Sequence, residues 1–204
     1  MNKNRIVIAI GIVFSAFTSL CAVHHAAPRD FPDRITADWK KRLLGFYDRN
    51  IEAVLKSPEK KDCLLYALRN TRENVENDSL AYIKRAVQDA LSATGSDSTA
   101  NMLVIEVYES HTPIWEVYVV VEDKNVVTRF DNLWKKSSSW NIPGTVPELE
   151  KAIGEYRNIG DMDCDFDQYV FCNIRGGQIE KFDVVKTLHP LQLGDLLKKL
   201  NRKD

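Results

Sequence analysis

The chain has 204 residues, and its 28 basic and 29 acidic residues give a formal net charge of −1. This near balance gives no strongly basic surface, so we expect neither nucleic acid nor an anionic membrane surface as a partner. A chain of this length can bury a sizeable core without a metal or a cofactor, and the sequence predicts neither.

The first 22 residues have the layout of a secretory signal peptide. Lys3 and Arg5 are followed by an apolar run over 6–17 and then by small residues, in the order typical of such peptides. The apolar run is shorter than the roughly 20 residues of a comfortable membrane span. The residues before Cys21 do not form the Leu-x-small-Cys pattern of lipoproteins, so we do not expect lipid anchoring there.

We therefore expect export to the periplasm or the extracellular space, with cleavage between residues 22 and 28 and no membrane span afterwards. Loss of residues 1–22 leaves 26 basic and 29 acidic residues, still close to balance. Residues 23–35 are expected to form an unstructured leader. Residues 36–204 contain no internal repeat or linker and are expected to form a single domain.

Helical periodicity dominates the first half of that domain. A helix is predicted from the cap residue Thr36 to about Leu55, and another after the cap residue Ser79. The helix between them has two possible starts, either at Ser57-Pro58 or at Asp62, and the sequence favours neither.

The period then changes to that of strands. Residues 102–108, 114–122 and 126–130 are rich in β-branched and aromatic residues and predict three neighbouring antiparallel strands. The second places Trp115, Val117, Val119 and Val121 on one face, which should pack against the helices. A polar loop is expected over 135–144.

The last part of the chain mixes both patterns. Helices are predicted over 145–156 and about 190–200, with a hairpin centred on Arg175-Gly176-Gly177 between them. Because helices come first and an antiparallel sheet follows, the predicted fold class is α+β, with N-terminal helices packed on the sheet.

Metal-binding patterns are incomplete. Asp161, Asp163, Asp165 and Asp167 alternate like calcium ligands, but Phe166 and Cys172 stand where an EF-hand loop has Gly and Glu. A solvated acidic loop is the preferred interpretation, and a weak calcium site is the alternative. No His or Cys pair has the spacing of a zinc site.

Three cysteines follow the signal peptide. Cys164 and Cys172 are eight residues apart in a chain that we expect to meet an oxidising compartment, so we predict that they form a disulfide. Cys63 is then the odd cysteine. It could be a thiol activated by the first turn of a helix, or a small apolar residue buried in the core.

The stretch Asp-Cys-Leu-Leu-Tyr-Ala-Leu over 62–68, with Asp131-Asn132-Leu133 at a strand end, resembles the bacterial transglutaminase-like cysteine proteinases. The resemblance covers roughly residues 60–133 and implies a papain-like or transglutaminase-like core. It also implies that Cys63 is a nucleophile and that Asp131 orients a catalytic histidine. The histidine position of that family is taken here by Trp115 or Glu116, so His111, four or five residues earlier, would have to act as the base.

Two functions follow from these patterns. In the first, the protein is an exported thiol hydrolase that cleaves a peptide or amide bond of a protein or peptide substrate, using Cys63, His111 and Asp131. In the second, it is a non-catalytic exported binding protein, of the inhibitor or immunity type, with a protein partner.

Overall fold

We describe the fold from a computed structural model, which defines residues 30–58, 62–108, 115–142 and 167–187. Its described helices are α1 (Phe31–Lys56), α2 (Asp62–Asn77) and α3 (Ala81–Thr94). Its described strands are β1 (Met102–Tyr108), β2 (Trp115–Val121), β3 (Val126–Asp131), β4 (Lys136–Asn141), β5 (Asp167–Arg175) and β6 (Gln178–Thr187). The predicted α+β class is confirmed.

The strands form a sheet in the order β4-β3-β2-β1-β5-β6, and every neighbouring pair is antiparallel. The three strands predicted between residues 102 and 130 are β1, β2 and β3, in the predicted order. The predicted hairpin joins β5 to β6 through Gly176 and Gly177, whose φ angles of 51° and 77° lie in the left-handed region that glycine adopts at no steric cost.

One face of the sheet carries the helices. The predicted apolar side of β2 lies on this face, where Val117, Val119 and Val121 are buried in one cluster with residues of α1, α2 and α3 and Trp115 packs against it. This prediction is confirmed. The alternation of side chains along a strand sends the intervening residues to the opposite face.

That opposite face is also buried. Its cluster contains Leu103, Ile105 and Val107 of β1, with Tyr118 and Val120 of β2. No residue of α1, α2 or α3 belongs to this cluster, so among the described elements the helices occupy one side of the sheet only. None of the described helices is long and apolar enough to cross a membrane.

The start of α1 corrects the expected leader. The helix begins at Phe31 rather than at Thr36, and both Phe31 and Ile35 are buried in the core. Thr36 is not a cap, because its hydroxyl donates to the Pro32 carbonyl 2.5 Å away within the helix. Because Phe31 and Ile35 contribute apolar side chains to the core, residues 31–35 belong to the folded domain.

The start of α3 differs from the sequence prediction by one residue, since the N-cap residue is Leu80 rather than Ser79. Asp78, not Ser79, supplies the polar contact, since its Oδ1 accepts a hydrogen bond from the Leu80 backbone N–H at 2.8 Å. Leu80 itself adopts a left-handed φ of 52° and is buried. The cost of that backbone geometry is offset by the burial of the leucine side chain.

Strand β4 replaces part of the loop predicted over 135–144. Its sequence, Lys-Ser-Ser-Ser-Trp-Asn, has little apolar character, but its backbone pairs with β3 from Asp131 opposite Lys136 to Val126 opposite Asn141. Among the described strands it lies at an edge of the sheet, where polar side chains can remain in water. The helices predicted over 145–156 and 190–200, and positions 161–166 of the acidic run, lie outside the described residues.

Candidate functional site

Cys63 lies in the first described turn of α2, and its side chain is exposed. Pro58 belongs to neither described helix, which excludes a helix that begins at Ser57-Pro58, and the described part of α2 begins at Asp62. Leu64 and Leu68 of α2 are buried, and the helix packs along α1. The ion pair between Arg72 Nε and Asp48 Oδ1, at 2.6 Å, joins the two helices.

The sulfur of Cys63 is part of a disulfide bond, whose other cysteine lies outside the described residues. A disulfide sulfur is not a nucleophile, because nucleophilic attack requires a thiolate. In this state Cys63 cannot perform the role that the family resemblance implies.

Cys172 corrects the predicted Cys164–Cys172 disulfide, because it is a free, buried cysteine. It lies within β5, opposite Val104 of β1, in the cluster between the sheet and the helices. Burial raises the pKa of the Cys172 thiol. The side chain therefore fills the core as a small apolar group, while Cys164 lies outside the described residues.

Asp131 lies on the face of the sheet opposite the helices. In β3, Phe130 belongs to the helix-side cluster and Val127 to the opposite cluster. Since alternate residues share a face, Asp131 and Arg129 lie with Val127. The structure thus places Asp131 and the helix that carries Cys63 on different sides of the sheet, and does not bring them together. His111 lies outside the described residues.

The partners of Asp131 are local. Its Oδ1 accepts hydrogen bonds from the backbone N–H groups of Leu133 and Trp134, each at 3.0 Å. Its Oδ2 lies 3.5 Å from Arg129 Nη2. These contacts order the turn between β3 and β4.

Glu116, one of the two residues at the expected histidine position, is directly opposite Asp131 in the ladder. It forms an ion pair with Arg129 and accepts a hydrogen bond from Tyr118 Oη at 2.6 Å. The hydrogen bond to Glu116 raises the pKa of Arg129. The carboxylates of Glu116 and Asp131 therefore share one guanidinium and form an ion cluster at the end of β2 and β3.

A second polar cluster, which the sequence analysis missed, surrounds Glu106 on the helix side of β1. Glu106 is buried, and its Oε1 accepts hydrogen bonds from Tyr82 Oη at 2.5 Å and Trp115 Nε1 at 3.2 Å. The Tyr82 and Trp115 rings pack edge to face with centroids 4.7 Å apart. This carboxyl group links α3, β1 and β2.

Burial favours the uncharged forms of the titratable groups in this region. Burial raises the pKa of Glu106, although the hydrogen bonds from Tyr82 and Trp115 act in the opposite direction. Burial also raises the pKa of Tyr82, and Glu106 adds to that shift. The carboxyl is not paired with a basic residue in any described ion pair, so its protonated form is the one that burial favours.

The same end of the sheet holds a further buried polar contact. Tyr47 of α1 donates its hydroxyl to Gln168 of β5, which is opposite Tyr108 in the ladder. The signal that could have revealed this region is the single acidic residue inside the apolar stretch Met-Leu-Val-Ile-Glu-Val-Tyr, because acids are seldom fully buried without a partner.

No cluster of three or more metal-binding side chains occurs among the described residues. Comparisons of the chain with protein-family models, curated proteins and solved structures found no match.

Proposed function

We propose that this chain is a non-catalytic exported binding protein with a protein partner, built on an α+β scaffold. The observation that carries the proposal is the disulfide at Cys63. Of the two described cysteines, only Cys63 is exposed to solvent, since Cys172 is buried. A bonded Cys63 is a covalent tether at the start of α2 and stabilises the scaffold.

The surroundings of Asp131 support the same proposal. This carboxylate is used by the β3–β4 turn and by Arg129, and it lies on the sheet face away from α2. A residue that orients a catalytic base must be within hydrogen-bond reach of that base and on the same side as the nucleophile.

The second candidate is a thiol hydrolase with a papain-like or transglutaminase-like core. One observation favours it, namely that Cys63 is exposed in the first turn of α2, where helix amides lower the pKa of a thiol. This function requires reduction of the disulfide and a base from outside the described residues, for which His111 is the sequence-based prediction.

Alkylation with iodoacetamide distinguishes the binding protein from the thiol hydrolase. In the native protein without reductant we expect no label on Cys63, and after mild reduction we expect label on Cys63 but not on buried Cys172. The reduced protein should hydrolyse a mixed peptide substrate no faster than its Cys63→Ser variant. Cys63-dependent hydrolysis, or labelling of Cys63 without reductant, would overturn the binding proposal in favour of the hydrolase.

A further inference from the structure

The turn between β3 and β4 presents two large apolar side chains to solvent. Leu133 is 60% exposed and Trp134 is 69% exposed. The other exposed large apolar residues of the described chain, such as Leu55 and Tyr66, are not adjacent in sequence to one another. Burial of Leu133 and Trp134 against a partner would therefore release favourable free energy that the isolated protein does not gain. Tryptophan is also among the residues enriched at binding hot spots.

Three hydrogen bonds order the backbone of this turn. Asp131 accepts hydrogen bonds from the backbone N–H groups of Leu133 and Trp134, and the Asn132 N–H donates to the Trp115 carbonyl at 3.0 Å. Lys135 has a left-handed φ of 53°, which is unfavourable for a residue with a Cβ. A turn whose backbone is already ordered loses less conformational entropy on binding than a mobile one.

A shallow cavity of about 440 Å³ lies beside Trp134. It is lined by Arg129, Asp131, Trp134, Lys136, Ser137 and Ser138. Arg129 is paired with both Glu116 and Asp131, so these three side chains together carry one net negative charge. Lys135 and Lys136 are exposed beside them and form no ion pair with a described residue. The five side chains together therefore carry a net charge of +1, which is positive at this surface.

From these observations we propose that the β3–β4 tip, defined as Leu133, Trp134, Lys135 and Lys136, docks an acidic segment of a partner protein. This inference rests on the proposed function and identifies the surface that performs it. An apolar side chain of the partner covers Trp134, while its carboxylates meet Lys135 and Lys136. Complementary charge of this kind increases the specificity and the rate of association. Trp134, once the partner buries it, contributes most of the affinity.

Selection of a random peptide library on the full protein tests the proposal. We expect enriched peptides to combine Asp or Glu with an apolar residue. Trp134→Ala should weaken their binding by about tenfold or more, the size typical of a hot-spot residue. Lys136→Glu should slow association and remove its salt dependence. Tyr66→Ala, a change at an aromatic residue that is 73% exposed on α2, is the matched control and should leave affinity unchanged.

Several outcomes would overturn the docking surface. These are no enrichment, enriched peptides that are not acidic, or peptides that bind Trp134→Ala as well as the wild type. Trp134-dependent binding to vesicles of anionic lipid, or Trp134-dependent self-association, would assign the tip to a membrane or to a second copy instead. Enriched peptides that bind elsewhere would leave the proposed function standing, whereas a reactive Cys63 thiol would remove that function independently.

Discussion

At the residue scale, Glu106 shows how one buried acid affects the whole fold. Its carboxyl accepts hydrogen bonds from Tyr82 and Trp115, but burial still raises its pKa. The folded protein therefore holds a proton on Glu106 at pH values where the unfolded chain has lost it. By linkage, stability contributed by this group is lost as the pH rises above 4.5, the ordinary value for Glu.

Glu106→Gln tests this relation, because glutamine resembles the protonated acid in shape and polarity. Between pH 4.5 and the raised folded pKa, the free energy of unfolding of the wild type should fall relative to that of the variant. The slope should approach about 1.4 kcal/mol per pH unit. Urea unfolding of the wild type and the variant at a series of pH values measures this slope. Glu73→Gln, at an exposed position of α2, should follow the wild type, and parallel curves for Glu106→Gln and the wild type would refute the assignment.

At the element scale, α2 depends on its packing against α1. Leu68 is fully buried between these elements, so Leu68→Ala removes apolar contacts and leaves a cavity. We expect a loss of about 2–5 kcal/mol in the free energy of unfolding. Tyr66→Ala, two residues away but exposed, should cost less than about 0.5 kcal/mol. Chemical denaturation of both variants measures the difference, and equal effects would show that α2 does not pack as described.

The β3–β4 turn gives a prediction of opposite sign. Lys135→Gly removes the strain of a left-handed lysine, which is worth roughly 1–2 kcal/mol, and adds roughly 0.5–1 kcal/mol of backbone entropy cost. A net gain of up to about 1.5 kcal/mol is expected from these two effects. Ser137→Gly, within β4, should instead destabilise the protein. Thermal unfolding of the two variants checks the contrast, and destabilisation by Lys135→Gly would contradict the observed backbone geometry.

Strand β4 shows the limit of pattern-based prediction at this scale. The strands β1, β2 and β3 could be predicted because their alternating or continuous apolar residues indicate buried strands. The sequence of β4 has no such apolar pattern, because a strand at the edge of a sheet can pair through its backbone alone. The first turn of α1 was not predicted either, although Asp30 is its N-cap residue and Pro32 lies in its first turn.

At the scale of the whole molecule, the candidate site is where sequence reasoning was least complete. The α+β class could be predicted from local patterns, whereas the position of Cys63 within its helix could not, because the sequence allowed two helix starts. The face occupied by Asp131 follows from alternation along β3, but only once the partner elements are known. The spacing of the cysteines along the chain does not predict that Cys63 is disulfide-bonded or that Cys172 is a free thiol in the core, because pairing depends on three-dimensional proximity.

The central claim is that Cys63 is a structural half-cystine of a binding protein rather than a catalytic thiol. Peptide mapping by mass spectrometry tests it most directly, with protein recovered from the periplasm or medium and alkylated before digestion without reductant. We predict that the Cys63 peptide is found linked to a second cysteine-containing peptide and that the Cys172 peptide is found unlinked. A native preparation in which the Cys63 peptide is alkylated and unlinked would contradict the account.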